Sequence, residues 1–313
     1  MRLTRRQFVS AAVATSAVAD DSRYSIGITT NTRGGWEKDV WLSFREAREV
    51  GYRNVESFIH YFSDFIDFRS EGADRPAALQ KKVDDIGVRF VTISNGGPME
   101  MHFEDPSRHE KIIKEHLRLV RFIKGLGCKH LKINMGPRRE TGTTAEDLKH
   151  MAAVLNEIGR RSFDEGIRFA VHAHMWSQFE NRREIESIMA NTDPRHVWFV
   201  LDTGHITMAG IDPVELTRTL GHRIVEFHIK DTKPEYRGGA RSRLEKHDPM
   251  NSPVFMPLGA GGVDFPALKE QLDRIKWQGW LTVELDSSLF RPPKASAKIS
   301  SDYLEKTLKL AVN

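Results

Sequence analysis

The chain has 313 residues, 47 Lys and Arg against 43 Asp and Glu, and a formal net charge of +4. That small surplus, with no run of five like charges, gives no footing for nucleic-acid binding. The single cysteine, Cys128, excludes an intrachain disulfide and a cysteine-type zinc site; within GLGCKHLKIN, just ahead of a strand, it reads as a small buried apolar residue.

The N-terminus reads MRLTRRQFVSAAVATSAVADD. Arg5 and Arg6 precede Gln7 and Phe8, then a weakly apolar run, then Ala17-Val18-Ala19. Residues 1–20 therefore resemble a twin-arginine export signal, which implies a periplasmic or otherwise exported protein. The apolar run is too short and too rich in Ser and Thr to span a membrane. No cysteine follows it to carry a lipid, so no membrane attachment is expected of the mature form.

Beyond residue 20, short apolar runs alternate with longer amphipathic ones. Strands are predicted at Tyr24 to Thr29, Asn54 to Phe58, Arg89 to Ser94, His130 to Asn134, Arg168 to His172, Val197 to Asp202, Ile224 to Ile229 and Trp280 to Leu285. Helices are predicted at Val40 to Val50, Arg75 to Ile86, Asp105 to Leu126, Thr144 to Glu165, Arg183 to Ala190, Pro213 to Leu220, Phe265 to Ile275 and Ala297 to Leu310. Gly51, Gly87, Gly127 and Gly166 each stand between a helix and a strand, where the left-handed helix cap favours glycine. The repeated order of helix, glycine and strand argues for a parallel sheet. Eight such units over residues 21–313 predict an α/β chain folded as a single (β/α)8 TIM barrel. Two connections are long. Ile59 to Arg75 is aromatic and acidic, placed to cover a pocket. Thr232 to Gly262, in the β7–α7 region, is an insertion with the length of a functional lid.

Four polar residues end apolar runs: His172 in RFAVHAH, Asp202 in VWFVLDTGH, His228 in IVEFHIKD and Glu284 in WLTVELD. Their intervals are those of strand, crossover helix and loops. Side chains alternate faces along a strand, so the last inward residue of each points at the mouth, where active sites of such barrels lie. His172 shares a parity with His174, His228 with Lys230, and Glu284 with Asp286. Each signal alone has a plainer reading. An HxH is commonly polar packing, an Asp before Thr-Gly is a helix cap, and VELD is an edge salt bridge. Together at the ends of consecutive strands, two carboxylates and two imidazoles make a divalent-metal site.

At these residues the chain resembles the xylose isomerase-like superfamily of sugar isomerases and epimerases, whose relatives include ketose 3-epimerases and inosose dehydratase. The matching pieces are LDTGH (201–205), FHIKD (227–231), PLGAGGVDF (257–265) and TVELD (282–286). The resemblance implies metal ligands His172, Asp202, His228 and Glu284. It implies a divalent ion, Mn first, with Mg, Co or Zn as alternatives. It makes His205 a catalytic group touching substrate oxygen, and puts Glu56, Lys132, Asn134 and Lys230 at the mouth, with Glu56, Asn134 and Lys230 binding substrate. One departure stands out. The epimerases carry a Glu on strand five, whereas this chain reads VHAHMW; histidines there are found in dehydratase-like members. Glu180 is the nearest carboxylate, in a loop expected to be solvated.

The implied chemistry is removal of a proton next to a metal-polarised carbonyl, giving an enediolate. Glu284 is the first choice of base, with His174 or Lys132 second. The leading expectation is a metal-dependent isomerase or epimerase acting on a keto- or aldo-sugar. The alternatives are a lyase using the same enediolate (a dehydratase or 3-keto-glycoside eliminase), phosphoester hydrolysis of the endonuclease type, and a non-catalytic sugar-binding barrel. The expected partner is a small-molecule sugar. Family members often form homodimers, though the sequence carries no interface signature.

Overall fold

The computed structural model describes residues 23–70, 72–236 and 254–312. The proposed export signal and residues 237–253 of the long insertion lie outside them. In chain order the strands are β1 (Tyr24–Thr29), β2 (Asn54–Phe58), β3 (Arg89–Ser94), β4 (His130–Asn134), β5 (Arg168–His172), β6 (Val197–Asp202), β7 (Ile224–Ile229), β8 (Asp231–Thr232), β9 (Phe255–Met256) and β10 (Gly279–Val283). Eight of them form one parallel sheet in the order β3-β2-β1-β10-β7-β6-β5-β4. Its outer strands approach each other, with Thr92 Oγ1 of β3 donating to the His130 carbonyl of β4 at 2.9 Å. The sheet is a nearly closed (β/α)8 barrel. Among the described residues no helix is long and apolar enough to cross a membrane.

The helices are α1 (Val40–Val50), α2 (Pro76–Ile86), α3 (His109–Lys124), α4 (Ala145–Asp164), α5 (Arg182–Asn191), α6 (Thr203–Met208), α7 (Pro213–Leu220), α8 (Phe265–Arg274) and α9 (Pro293–Tyr303). Their local causes are readable in α4. Thr144 and Asp147 form a reciprocal capping box, and Leu148, Met151, Leu155 and Ile158 make the helical stripe that buries against the sheet. At the close of α2, Gly87 takes φ 83°, the left-handed cap that a side chain would resist. Cys128 is buried in this outer core, where burial pushes its thiol up to about 12 and leaves it unreactive.

Several boundaries differ from the sequence reading, each for a local reason. Asp105 caps a single 3-10 turn over Pro106–Arg108 before α3 begins. The final helix starts four residues earlier than expected because proline's fixed φ suits a first helical turn, and it ends in a π turn at Leu304–Leu308. The aromatic connection after β2 does not cap the mouth. Phe62 packs edge-on to Phe90 and against Phe44, beneath α1, while His60 stays exposed. Helix α6 was not anticipated; it follows β6 without a loop and is buried on every side.

Both feet of the long insertion are fixed to the barrel. The β8 and β9 strands pair antiparallel. The Asp231 carboxylate accepts backbone N–H groups from Thr232, Gly259 and Gly261 at 2.9 Å and from Val263 at 3.0 Å. A Cβ on Gly261 would meet the Thr232 carbonyl oxygen at 2.1 Å, so only glycine fits against this clamp.

Candidate metal centre

The ends of β5, β6, β7 and β10 bring His172, Asp202, His228 and Glu284 together, all buried, with one potential ligand atom from each within 4.8 Å of the others. Asp202 fits this place because its two oxygens are divided. Oδ1 accepts the N–H of His205 at 2.9 Å and starts α6, which leaves Oδ2 turned inward. His172 is divided in the same way. Its Nδ1 lies 2.8 Å from Asn134 Oδ1 and must donate to it, so Nε2 carries the lone pair. Asn134 is itself held, since Asn95 Oδ1 accepts its backbone N–H at 2.8 Å.

His172 Nε2 and Asp202 Oδ2 lie 3.5 Å apart; the nitrogen is a buried atom with no hydrogen-bond partner, and the oxygen has only the Lys230 ammonium, 3.1 Å away, beside it. A buried acceptor without a donor is costly, and one that faces a carboxylate oxygen is more so. Both electron pairs are ones that a divalent cation would take up, and the remaining donors suit it: His228 Nδ1 faces Glu284 Oε2 and stands 3.8 Å from Asp202 Oδ2. Two imidazoles and two carboxylates are a fitting set for Mn, Co or Zn.

The four side chains differ in how their surroundings charge them. Burial pushes the Asp202 carboxyl up to about 7, opposed by Lys230 and reinforced by Glu284. Glu284 goes the other way: burial is outweighed by His228 and Lys230, which hold it well below the ordinary carboxylate range. His228 is flanked by two acids, Glu284 at Nδ1 and Glu56 at Nε2, 2.9 Å away. Burial would lower it, but those two carboxylates hold it well above its usual value. Burial and Lys132 keep His172 neutral.

Sequence reasoning placed Glu56 and Lys132 at the mouth. In the structure both are buried, and Glu56 backs His228. Glu56 Oε1 accepts from Lys132 Nζ at 3.0 Å, while Oε2 supports His228 from behind. Glu56 is held down at about 2, where burial is overcome by Lys132 and His228. For Lys132, burial lowers the ammonium but Glu56 and Glu284 raise it further. Asn134, half-buried, orients His172 through its Oδ1.

A second group sits on the solvent side. His174, His205 and Asp286 offer ligand-type atoms within 4.8 Å of one another. The His174 and His205 rings lie 3.8 Å apart. His174 is half-buried; its Nδ1 donates to the Met175 carbonyl, and burial keeps the ring neutral. Lys230 is fully buried between the two groups. It contacts His205 Nε2 at 2.8 Å, Asp286 Oδ1 at 2.9 Å, Asp202 Oδ2 at 3.1 Å and Glu284 Oε2 at 3.2 Å.

Two features escaped the sequence reading. Glu180, expected in solvent, is buried and accepts from Arg138 at 3.0 Å and from the Trp176 backbone N–H. Trp176 holds φ 65°, which strains a bulky residue, and its ring stands 6.3 Å from His174 with a buried unpartnered Nε1. The aromatic two residues after VHAH was the available signal.

Comparison with known proteins agrees with this arrangement. The profile of the xylose isomerase-like TIM barrel family matches residues 44–307. Inosose dehydratase of Clostridium botulinum is 30% identical over 156 residues, 49% of this chain and 52% of that protein, so this alignment spans about half the relative's length. Inosose dehydratase of Geobacillus kaustophilus is 26% identical over 246 residues, 74% of this chain and 79% of that protein. A crystal structure of a sugar phosphate isomerase/epimerase from Parabacteroides distasonis superposes with a TM-score of 0.68 at 21% identity, covering 96% of this chain and 99% of that one.

Proposed function

Because the chain belongs to the xylose isomerase-like TIM barrel family, we propose that it is a divalent-metal-dependent lyase removing water from a keto-cyclitol or keto-sugar. One observation carries the metal: the unpartnered lone pair of buried His172 Nε2, turned 3.5 Å from Asp202 Oδ2 within a cluster of four ligand-type side chains. The names of the inosose dehydratases similar to this chain support elimination as the outcome. The strand-five histidine supports it too, because epimerisation between two opposed carboxylates has no second carboxylate on that strand.

His172, Asp202, His228 and Glu284 would hold the ion. A divalent ion so held polarises a carbonyl and acidifies the adjoining C–H. His174 takes the proton. It is the one half-buried imidazole at the mouth, it is neutral, and its Nδ1–H is committed to Met175, which leaves Nε2 to accept. Glu284, the first choice from sequence, is already engaged by His228 and Lys230. As the C–H electron pair becomes the new double bond, the C–O bond on the next carbon breaks. Its oxygen leaves with the proton carried by His174, so the net change is loss of one water. Lys230 stays charged throughout, held by Asp202 and Asp286. Return of the proton to carbon instead gives an isomer, an outcome suggested by the sugar phosphate isomerase/epimerase of like fold.

The test is incubation of the full-length protein and Mn2+ with an inosose, a 3-keto-glycoside and a ketose, in deuterated water, with products read by mass. Loss of water from the inosose is expected. Deuterium gain without other mass change would assign an isomerase, and unchanged substrates without exchange would overturn the proposal. The paired arginines at positions 5 and 6 support export ahead of this reaction; fractionation of cells producing the full chain, against an Arg5→Lys/Arg6→Lys variant, tests it.

A further inference from the structure

The mouth contains two sets of metal-type ligands, and an ammonium stands between them. The first set is His172, Asp202, His228 and Glu284; the second is His174, His205 and Asp286. Two imidazoles and a carboxylate, from the segment after β5, from α6 and from the segment after β10, would ordinarily be a fair divalent-cation site in their own right. Lys230 Nζ occupies that place. It touches one member of each pair that a second ion would need, His205 Nε2 at 2.8 Å and Asp286 Oδ1 at 2.9 Å, and it bridges to the first set through Asp202 and Glu284.

We propose that Lys230 is a built-in second cation, and that its ammonium restricts this mouth to one divalent ion. The proposal rests on the reading of the first set as a metal centre. Charge supports it. The mouth and the layer behind it hold four carboxylates (Glu56, Asp202, Glu284 and Asp286) paired with the ammoniums of Lys132 and Lys230. With His228 neutral, as a metal ligand must be, two negative charges remain, which one divalent ion neutralises. A second ion beside Lys230 would leave an excess of two positive charges in a buried space, which is heavily disfavoured. The position is also cradled. A Cβ on Gly204 would meet Lys230 Cγ at 2.8 Å, so the glycine after Thr203 lets the lysine stem pass. Phe255 covers the head, with Nζ 4.6 Å from its ring centre. Neither would be required of a lysine reaching for solvent.

Removing the ammonium while keeping the stem should therefore open the second site. Metal-free full-length protein is dialysed against Co2+ and analysed for bound metal. Wild type is expected to hold about one Co2+ per chain and Lys230→Met about two. Lys230→Arg, which keeps the charge, should stay near one, and Lys230→Met combined with His174→Ala should return to one. Lys230→Gln serves if the methionine variant does not melt cooperatively. One ion in both neutral variants overturns the second-cation role while the metal centre stands. Two ions in the wild type overturn it as well. No ion in the wild type removes the metal reading and this inference with it.

Discussion

Low in the barrel interior, His130 Nε2 meets Glu226 Oε2 at 2.7 Å and Thr282 donates to the other oxygen of the same carboxylate. Two residues further along the same strands are Lys132, His228 and Glu284, in the layer that carries Asp202 and His172. Both layers are buried, and both are built from histidine and carboxylate. The lower one closes on itself. The upper one leaves His172 Nε2 without a donor, facing the Asp202 carboxylate. Residue type and burial therefore do not mark a cation site; an unmet acceptor beside a carboxylate does.

The strongest way to break this contrast is Asp202→Asn, which keeps the Oδ1 cap on His205 and removes the charge at Oδ2. Metal affinity should fall well beyond the roughly 10–100-fold typical of groups that only support a ligand. The metal-free protein should also melt lower than wild type, because the new Nδ2 would face the buried Lys230 ammonium where Oδ2 stood 3.1 Å from it. Competition with a chromophoric chelator and calorimetry measure the two.

In the lower layer the signs reverse. His130→Leu leaves Glu226 with Thr282 as its remaining hydrogen-bond partner among the described residues, which should cost about 3–5 kcal/mol in urea unfolding. Metal stoichiometry should not change. If His130→Leu lost metal with stability intact, the two layers would have been assigned the wrong way round.

A third test probes the hydrogen bonds behind His172. His116 donates through Nδ1 to the Ile112 carbonyl at 2.8 Å and accepts at Nε2 from Asn95, which in turn holds Asn134. Burial lowers His116 from 6.5 to about 4. Above pH 6.5 neither the folded nor the unfolded chain binds this proton. As pH falls from 6.5 toward 4 only the unfolded chain takes it up, so stability declines, by about 3 kcal/mol at pH 4. Urea unfolding across that range should show the loss, and His116→Gln should flatten it.

The mildest change is Glu56→Gln. It removes the charge supporting His228 Nε2 while keeping an acceptor there, and should weaken metal binding by roughly 10–100-fold without changing the number of ions bound. Isothermal titration with Mn2+ reads this; an unchanged affinity would separate Glu56 from the centre.

Much of this was legible in the chain. The VWFVLD run gives β6 to the residue, and the parity that pairs His228 with Lys230 and Glu284 with Asp286 is realised in space. Carried back two residues, the same parity reaches Glu226 and Thr282, so the lower layer could also have been found. Depth could not be. Nothing local distinguishes Glu56 and Lys132, sealed beneath His228, from residues that face solvent, because depth depends on strand stagger around the closed barrel. Helix α6 escaped because the six residues of TGHITM, buried all round, show no amphipathic stripe. The partner of each histidine nitrogen, which decides tautomer and hence ligand atom, is set by neighbours such as Asn134 that arrive from another strand.

The Asp231 clamp has a consequence for how this scaffold can change. Four amide groups gathered on one carboxylate tether the two stems of the excursion after β8, and lengthening a closed excursion raises its entropic cost only slowly. Segments of different length and composition can thus be exchanged between those stems while the metal-facing residues keep their positions. Variation there is then cheap for the fold, because the tethered stems stay as they are.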